Sequence, residues 1–211
     1  MSEGILYICP TPIGNLEDIT LRTLRVLKEV DLIAAEDTRR TIKLLNHYEI
    51  KKPLISYHEH NKVEKGKILI EKLKEGVNIA LVTDAGMPGI SDPGEDMIRL
   101  AIENQIEPVV LPGATASITA LVLSGLPTKK FVFEGFLPSK KKDRREELER
   151  LKTEERTIIL YEAPHRLLAL LKDMEAILGD RQLAIGRELT KIYEEVFRGS
   201  ISDALRKFQE E

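Results

Sequence analysis

The sequence predicts an α/β fold with a largely parallel sheet, arranged as two lobes of similar length. Short apolar runs recur along the chain, the segments between most of them have helical periodicity, and several runs end in loops rich in glycine and proline. The runs are ILYIC (5–9), DLIAA (31–35), PLISY (53–57), NIALV (78–82), PVVL (108–111), FVFEGF (131–136), TIILY (157–161) and LAIG (183–186).

The segments between the runs supply the helices. TLRTLRVLKEV places Leu21, Leu24 and Leu27 on one face, which predicts a helix packed on the sheet, and HRLLALLKDMEAIL carries a similar stripe. After residue 111 the chain becomes rich in small apolar residues and then in charged ones. We therefore expect an N-terminal lobe over residues 1–112 and a C-terminal lobe over residues 113–211.

Composition limits the class of protein. With 42% hydrophobic residues, the 211-residue chain can build real cores, and Cys9 as its only cysteine excludes a disulfide framework. A net charge of −3 gives no global attraction to nucleic acid, so an anionic substrate needs a local basic patch. No leader sequence or membrane-length apolar run is evident, and we expect a cytoplasmic protein.

Loops after the strands of a parallel sheet carry its ligand sites, so they identify the candidate residues. CPTPIGNLEDIT (9–20) lacks the glycine spacing of a dinucleotide site. AAEDTRRT (34–41) brings two carboxylates and two guanidiniums to a strand end, either as a solvated helix start or as part of a site.

The loop in LVTDAGMPGISDPG (81–94) divides into two parts. Asp92 suits a helix N-cap, Pro93 the first helical position and Glu95 a capping box, so this part is expected to begin a helix. TDAGMPGI has no such role. Its glycines allow close backbone approach, and Asp84 can accept hydrogen bonds from hydroxyls or amines, but the residues of a triphosphate loop are absent.

The remaining loops are more ambiguous. LPGATAS (111–117) opens a helix whose small side chains allow either close helix packing or space for a ring. YEAPHRL (161–167) and GRELTKIYEE (186–195) place ionisable side chains beyond strands, either as structural groups or for acid–base work. These side chains are Glu162, His165, Arg187 and Glu188.

Two other features invite a functional interpretation. His58 and His60 could form a metal pair, but no third ligand has a recognisable spacing, so no metal site is expected. The basic run SKKKDRREELER (139–150) is explained in its later half by an exposed helix, and its first half is a candidate contact for an RNA phosphate backbone. The candidate residues are Lys140, Lys141, Lys142, Arg144 and Arg145.

Taken together, these loops resemble a known family. CPTPIGNLEDITLRTLRVLKEVDLIAAEDTRR, LVTDAGMPGISDPG, VLPGATA and YEAPHR, in this order, are similar to the tetrapyrrole-methylase superfamily of S-adenosylmethionine-dependent enzymes. Within it, the closest resemblance is to the bacterial (cytidine-2′-O)-methyltransferases of small-subunit ribosomal RNA. The resemblance covers nearly the whole chain and implies a homodimer whose cofactor lies in a cleft between the lobes.

The resemblance also assigns cofactor contacts. The first-loop proline of the family falls on Pro12, and two looser matches fall on Glu162 and Leu189. The glycine-rich loop and the Thr-Ala that follows the later Pro-Gly turn supply the rest. These residues are Asp84, Ala85, Gly86, Ile90, Thr115 and Ala116.

The sequence departs from the family in two ways. The tetrapyrrole enzymes have a Gly-Pro-Gly-Asp loop where this chain has TPIGN, which argues against a corrin or porphyrin substrate. Members of the ribosomal RNA group continue beyond the segment that matches SISDALRKF, whereas this sequence ends at Glu211. The resemblance leaves open whether this is a truncated form, in which the loss of a last strand or of an RNA-binding tail would reduce the activity.

The implied reaction is attack of a ribose 2′-hydroxyl on the sulfonium methyl, which needs alignment and a proton acceptor. Arg39 and Arg40 suit RNA phosphates because guanidinium forks match phosphate oxygens. The candidates for the proton acceptor are not ranked by the sequence. They are Asp37, Asp84, Glu162, His165 and Glu188.

Two alternatives remain at this stage. One is a methyltransferase for a small molecule, whose activity would not depend on the basic run or on salt. The other is a noncatalytic ribosome-assembly factor, which would keep its function without binding the cofactor.

Overall fold

The computed structural model describes residues 3–210, which form two compact units. One unit extends to Thr115, and the other begins at Ala116. Each unit combines strands with helices, and the predicted α/β class with a largely parallel sheet is confirmed.

The first unit is built on a parallel sheet. Its strands are β1 (Leu6–Ile8), β2 (Leu32–Ala35), β3 (Leu54–Ser56), β4 (Ile79–Val82) and β5 (Val109–Val110). They pair in the order β3-β2-β4-β1-β5, and every pair is parallel. The carboxyl ends of all these strands therefore meet at one edge.

Helices cover both faces of this sheet. Along β4, Ile79 and Leu81 belong to one apolar cluster, whereas Ala80 and Val82 belong to another. Since successive strand residues point to opposite faces, the two clusters lie on the two sides of the sheet. The helices are α1 (Leu21–Glu29), α2 (Thr38–His47), α3 (Lys62–Lys74) and α4 (Glu95–Glu103).

Helix α1 corrects one detail of the leucine pattern. Thr20 is its N-cap and accepts the N–H of Thr23 at 3.0 Å, while Val26 and Leu27 are buried. Leu21 is 85% exposed, so its assignment to the core face was wrong. It is the first helical residue, and a helical side chain points back towards the N-terminus, away from the turns that pack on the sheet.

The second unit contains two short sheets. The elements are α5 (Ala116–Ser124), β6 (Phe131–Phe136), α6 (Lys141–Leu151), β7 (Thr157–Tyr161), α7 (Leu167–Leu178), β8 (Gln182–Arg187), β9 (Glu195–Ser200) and α8 (Ile201–Gln209). Strands β6 and β7 pair in parallel, and β8 and β9 form an antiparallel hairpin. Apolar side chains of α7, α8 and the hairpin share one core cluster.

Among residues 3–210, no helix combines the length and the apolar character needed to cross a membrane.

Candidate active site

Four loops meet at the carboxyl edge of the first unit's sheet, and each takes its name from the strand before it. The β1 loop covers residues 9–20, the β2 loop residues 36–37, the β4 loop residues 83–94 and the β5 loop residues 111–115. In the strand order, β4 lies between β2 and β1, and β5 lies next to β1. Neighbouring loops can therefore contact one another.

Backbone hydrogen bonds join the β1 and β4 loops. The N–H of Thr11 donates to the carbonyl of Gly86, and the N–H of Gly86 donates back to Thr11, both at 3.0 Å. The Thr11 hydroxyl also donates to the Thr83 carbonyl at 3.1 Å. Pro12 follows directly after this bridge, so its ring is held beside the glycine-rich loop.

Glycine is required at two close approaches within this edge. Gly86 has a φ of +85°, and a Cβ there would lie 3.3 Å from Cγ2 of Ile13. A Cβ on Gly113 would lie 2.3 Å from Cγ of Pro10, so the β5 loop packs against the β1 loop at backbone distance. Thr115 ends the β5 loop and the unit.

Asp84 links the β4 loop to the β2 loop. Its Oδ1 accepts the N–H of Asp37 at 3.2 Å, and its Oδ2 lies 3.1 Å from Nη1 of Arg40. The N–H of Asp84 in turn donates to Oε2 of Glu36 at 3.2 Å. The Asp84 side chain is 23% exposed, so part of this carboxylate still faces solvent.

Asp37 has a structural task that fits the solvated-helix interpretation of the β2 loop. It is the N-cap of α2, where it accepts the N–H of Arg39 at 2.9 Å, and its carboxylate also pairs with the Arg39 guanidinium. These hydrogen bonds with Arg39 lower the pKa of Asp37 to about 2. A carboxylate with so low a pKa is a weak proton acceptor near neutral pH.

Asp92 does not cap α4. The helix does begin within SDPGED, at Glu95, but its N-cap is Gly94 and it has no side-chain cap, so the roles predicted for Asp92 and Pro93 were wrong. Residues before it form a turn in which Ser91 has a φ of +64°. Partial burial, and then the negative charges of Glu36 and Asp84, raise the pKa of Asp92 to about 6.

The position of Asp92 predicts a pH effect on stability. Because its pKa is raised from 3.8 to about 6, the folded chain binds more protons in that window, and stability falls as the pH rises through it. We expect Asp92→Asn to stabilise the chain by about 1–2 kcal/mol at pH 8, after allowing for solvent screening, and by much less at pH 4.5. Urea unfolding at both pH values measures this. An equal effect at both pH values would contradict the raised pKa of Asp92.

The β4 loop also borders an apolar cavity of about 450 Å³ in the first unit. Met87, Pro88 and Ile90 line it from the loop, and Ile98 and Ile102 line it from α4. Ile90 is 43% exposed, and Ala85 is exposed as well. The glycine-rich loop therefore presents apolar surface beside the Asp84 carboxylate.

In the second unit, Glu162 is held by Arg166. Oε1 of Glu162 accepts the N–H of Ala163 at 2.8 Å and lies 3.2 Å from Nε of Arg166. Nη2 of Arg166 donates to the carbonyl of Leu137 at 2.9 Å. The Glu162 side chain is only 7% exposed. Among the described residues, its second oxygen, Oε2, has no hydrogen-bond partner.

The other predicted residues of this unit differ in accessibility. His165 and Glu188 are exposed, and Glu188 has a φ of +52° at the start of the hairpin turn. Leu189 packs on the backbone of Gly186, and a Cβ added to Gly186 would lie 3.0 Å from Cδ2 of Leu189. Ala116 is the first residue of α5, and the next N–H of that helix donates to the Tyr161 hydroxyl at 3.1 Å.

The basic run of α6 separates into buried and exposed members. Arg144 is buried, and its Nη2 and Nε donate to Oδ2 of Asp173 at 2.6 and 3.0 Å. Arg144 therefore packs α6 against α7 and does not fit the expected phosphate contact. Arg145 is exposed, and its Nη1 lies 3.5 Å from Oδ1 of Asp173. Lys140, Lys141 and Lys142 are exposed.

The two histidines of SYHEHN lie close together after β3. Their ring centroids are 6.0 Å apart, and Asn61 accepts the N–H of His58 at 2.8 Å. Within residues 3–210, no three His, Cys, Asp or Glu side chains lie close enough to hold a metal ion.

Sequence reasoning missed two carboxylates related to Asp84, which are Glu36, bonded to its backbone N–H, and Asp92, whose pKa is raised in part by its charge. Glu36 stands in the EDTRR string that was singled out, but only the strand pairing shows that it reaches the β4 loop. Asp92 was explained by capping, which hid its position beside the other carboxylates.

Comparison with known proteins agrees with this fold. The family of the tetrapyrrole (corrin/porphyrin) methylases matches residues 5–205. The crystal structure of uroporphyrin-III C-methyltransferase from Thermus thermophilus with S-adenosylhomocysteine has a TM-score of 0.67 at 16% identity, over 97% of this chain and 92% of that one. The chain belongs to the tetrapyrrole methylase family, and it is a methyltransferase.

Within this family, the chain is similar to proteins named ribosomal RNA small subunit methyltransferase I. It is 57% identical to the one from Halalkalibacterium halodurans over 96% of this chain and 70% of that protein. It is 55% identical to the one from Synechocystis sp. over 98% of this chain and 75% of that protein. The predicted family and enzyme class are confirmed.

Proposed function

We propose that this enzyme transfers a methyl group from S-adenosylmethionine to the ribose 2′-hydroxyl of a cytidine in small-subunit ribosomal RNA. The likeness to the named relatives, at 57% identity over 96% of the chain, carries the proposal. S-adenosylmethionine is the cofactor, and ribosomal RNA of the small subunit is the substrate. The cytidine, its 2′-hydroxyl and a homodimeric state are the finer parts of the proposal.

The edge of the first unit suits the proposed cofactor chemically. Gly86 and Gly113 keep three loops at backbone distance, so a ligand can approach the main chain without meeting side chains. The partly exposed Asp84 carboxylate can accept hydrogen bonds from hydroxyl or amino groups, and Ile90 offers apolar surface. In the first unit we assign the contacts to Pro12, Asp84, Ala85, Gly86, Ile90 and Thr115. Ala116, Glu162 and Leu189 remain proposed contacts in the second unit.

When bound, S-adenosylmethionine supplies an electrophilic methyl group on a sulfonium centre. The protein has to orient the ribose hydroxyl and accept its proton. Asp37 is unsuited because its pKa is about 2, and both oxygens of Asp84 have partners. Glu162 keeps one buried oxygen without a partner among the described residues, so we propose it as the proton acceptor.

Replacing Glu162 by glutamine separates the two roles proposed for it. Loss of a general base lowers kcat by roughly hundredfold or more and leaves the KM for S-adenosylmethionine nearly unchanged. Steady-state methyl transfer measures both constants, with Glu188→Gln as an exposed control. A higher KM with an unchanged kcat would instead make Glu162 a cofactor contact.

RNA phosphates are proposed to bind exposed basic side chains. Arg39 and Arg40 are 88% and 68% exposed at the start of α2. A second group at the start of α6 consists of Lys140, Lys141, Lys142 and Arg145. Replacing one phosphate-binding side chain by alanine should reduce the slope of log K for RNA binding against log salt concentration by about one unit.

A methyl-transfer assay on small ribosomal subunits that lack the modification tests the whole proposal. Nuclease digestion and mass spectrometry should recover 2′-O-methylcytidine only when active enzyme is present. A methyl group on a base atom would refute the 2′-O assignment. Transfer to small molecules alone would refute the RNA substrate.

A further inference from the structure

We propose that Arg40 is a positioning residue for the cofactor contact of Asp84, in addition to any contact with RNA. The proposal rests on the proposed function, in which Asp84 binds S-adenosylmethionine. In this proposal, the β2 loop and the first turn of α2 also hold the Asp84 carboxylate in the orientation that binds the cofactor.

The contacts around Asp84 leave it little freedom. Glu36 holds its backbone N–H, the N–H of Asp37 holds Oδ1, and Nη1 of Arg40 lies 3.1 Å from Oδ2. The first two partners belong to one short loop that follows β2, and the third lies in the first turn of α2. Of these partners, only Arg40 brings a positive charge to the carboxylate.

Arg40 can hold the Asp84 carboxylate and bind an RNA phosphate at the same time. A guanidinium has five N–H donors in a rigid fork, so a contact through Nη1 leaves donors free for a phosphate oxygen. The Arg40 side chain is 68% exposed, which keeps those donors accessible. Holding Asp84 therefore does not compete with RNA binding.

Arg39 provides a matched comparison on the same helix. It is 88% exposed, and its ion pair is with Asp37, through Nη2 to Oδ2 at 2.9 Å. Removing either arginine takes one positive charge from the first turn of α2. Of the two, only Arg40 forms an ion pair with Asp84. A difference in cofactor affinity between the two variants therefore reports the positioning of Asp84 and not the loss of a positive charge from the first turn of α2.

Calorimetry with S-adenosylhomocysteine, without RNA, tests the proposal on the full chain. We expect Arg40→Gln to weaken binding by about tenfold, since the carboxylate that accepts from the ligand is no longer held by a charged partner, and Arg39→Gln to change it by less than about twofold. Arg40→Lys keeps a point charge and should restore part of the affinity. In methyl transfer, Arg40→Gln should raise the KM for S-adenosylmethionine more than it lowers kcat at saturating RNA.

The outcomes distinguish this inference from the proposed function. If the wild type binds no S-adenosylhomocysteine, the cofactor assignment falls, and the positioning role falls with it. If the wild type binds and both arginine variants lose equal affinity, or neither loses any, the positioning role is wrong while the proposed function stands. Thermal unfolding of each variant accompanies the titration. If Arg40→Gln does not fold, Arg40→Lys is titrated in its place. We expect Arg40→Lys to bind S-adenosylhomocysteine about threefold more weakly than the wild type. Wild-type affinity in this variant would overturn the proposal.

Discussion

Arg144→Ala is expected to lower the free energy of unfolding by about 3 kcal/mol or more, because it leaves a buried carboxylate without its main partner. The side chains of Arg144 and Asp173 are 7% and 6% exposed, and two hydrogen bonds of the guanidinium reach Oδ2 of Asp173. Arg145, 3.5 Å from Asp173, can compensate only in part. Urea unfolding followed by circular dichroism measures the change.

Two controls define the cause of this loss. The double variant Arg144→Met, Asp173→Leu removes both charges and should recover most of the stability, since a buried ion pair is often replaceable by packed apolar groups. Lys141→Ala, at an exposed position of the same helix, should change stability by less than about 0.5 kcal/mol. If Arg144→Ala is as stable as Lys141→Ala, the pair does not stabilise the contact between α6 and α7.

The strands were predictable from sequence where their apolar character is continuous. ILYIC became β1, NIALV became β4, which is buried on both faces, and TIILY became β7 without a change of bounds. EVFRGS was missed because Glu195, Arg198 and Gly199 interrupt the apolar pattern. It is a strand because β8 supplies the pairing, and the periodicity of one segment does not contain that information.

The clustering of candidate residues was predictable where a loop has no local explanation. Asp84 was singled out because it follows a buried strand and caps no helix, and the structure places it at the centre of a hydrogen-bond network. Arg144 was misjudged because it stands in a run of lysines, yet it faces the neighbouring helix. Capping rules explained Asp92 from its neighbours in the sequence, but the carboxylates that help to raise its pKa are Glu36, after β2, and Asp84, after β4. Such contacts depend on strand order, which composition and spacing do not specify.

Gly86→Val is expected to abolish measurable binding of S-adenosylhomocysteine. The residue has a φ of +85°, which a β-branched side chain adopts at a cost of about 1–3 kcal/mol. The new Cβ would also lie 3.3 Å from Cγ2 of Ile13 and 3.6 Å from the carbonyl oxygen of Ala114. Because the bridge to Thr11 joins the β1 and β4 loops at this residue, relief of the strain would displace both loops from the geometry of the proposed cofactor site.

Gly179 separates backbone strain from the effect on the site. Its φ is +76°, and a Cβ there meets no atom within 4 Å, so Gly179→Val also forces a β-branched side chain to a positive φ, at the end of α7 and without crowding. Both variants should lose stability in thermal unfolding, but only Gly86→Val should lose cofactor affinity in calorimetry. Equal affinity in the two variants would mean that the bridge between the β1 and β4 loops does not shape the cofactor site. A loss confined to Gly86→Val would tie binding to the backbone geometry of that bridge, since strain alone is common to both changes.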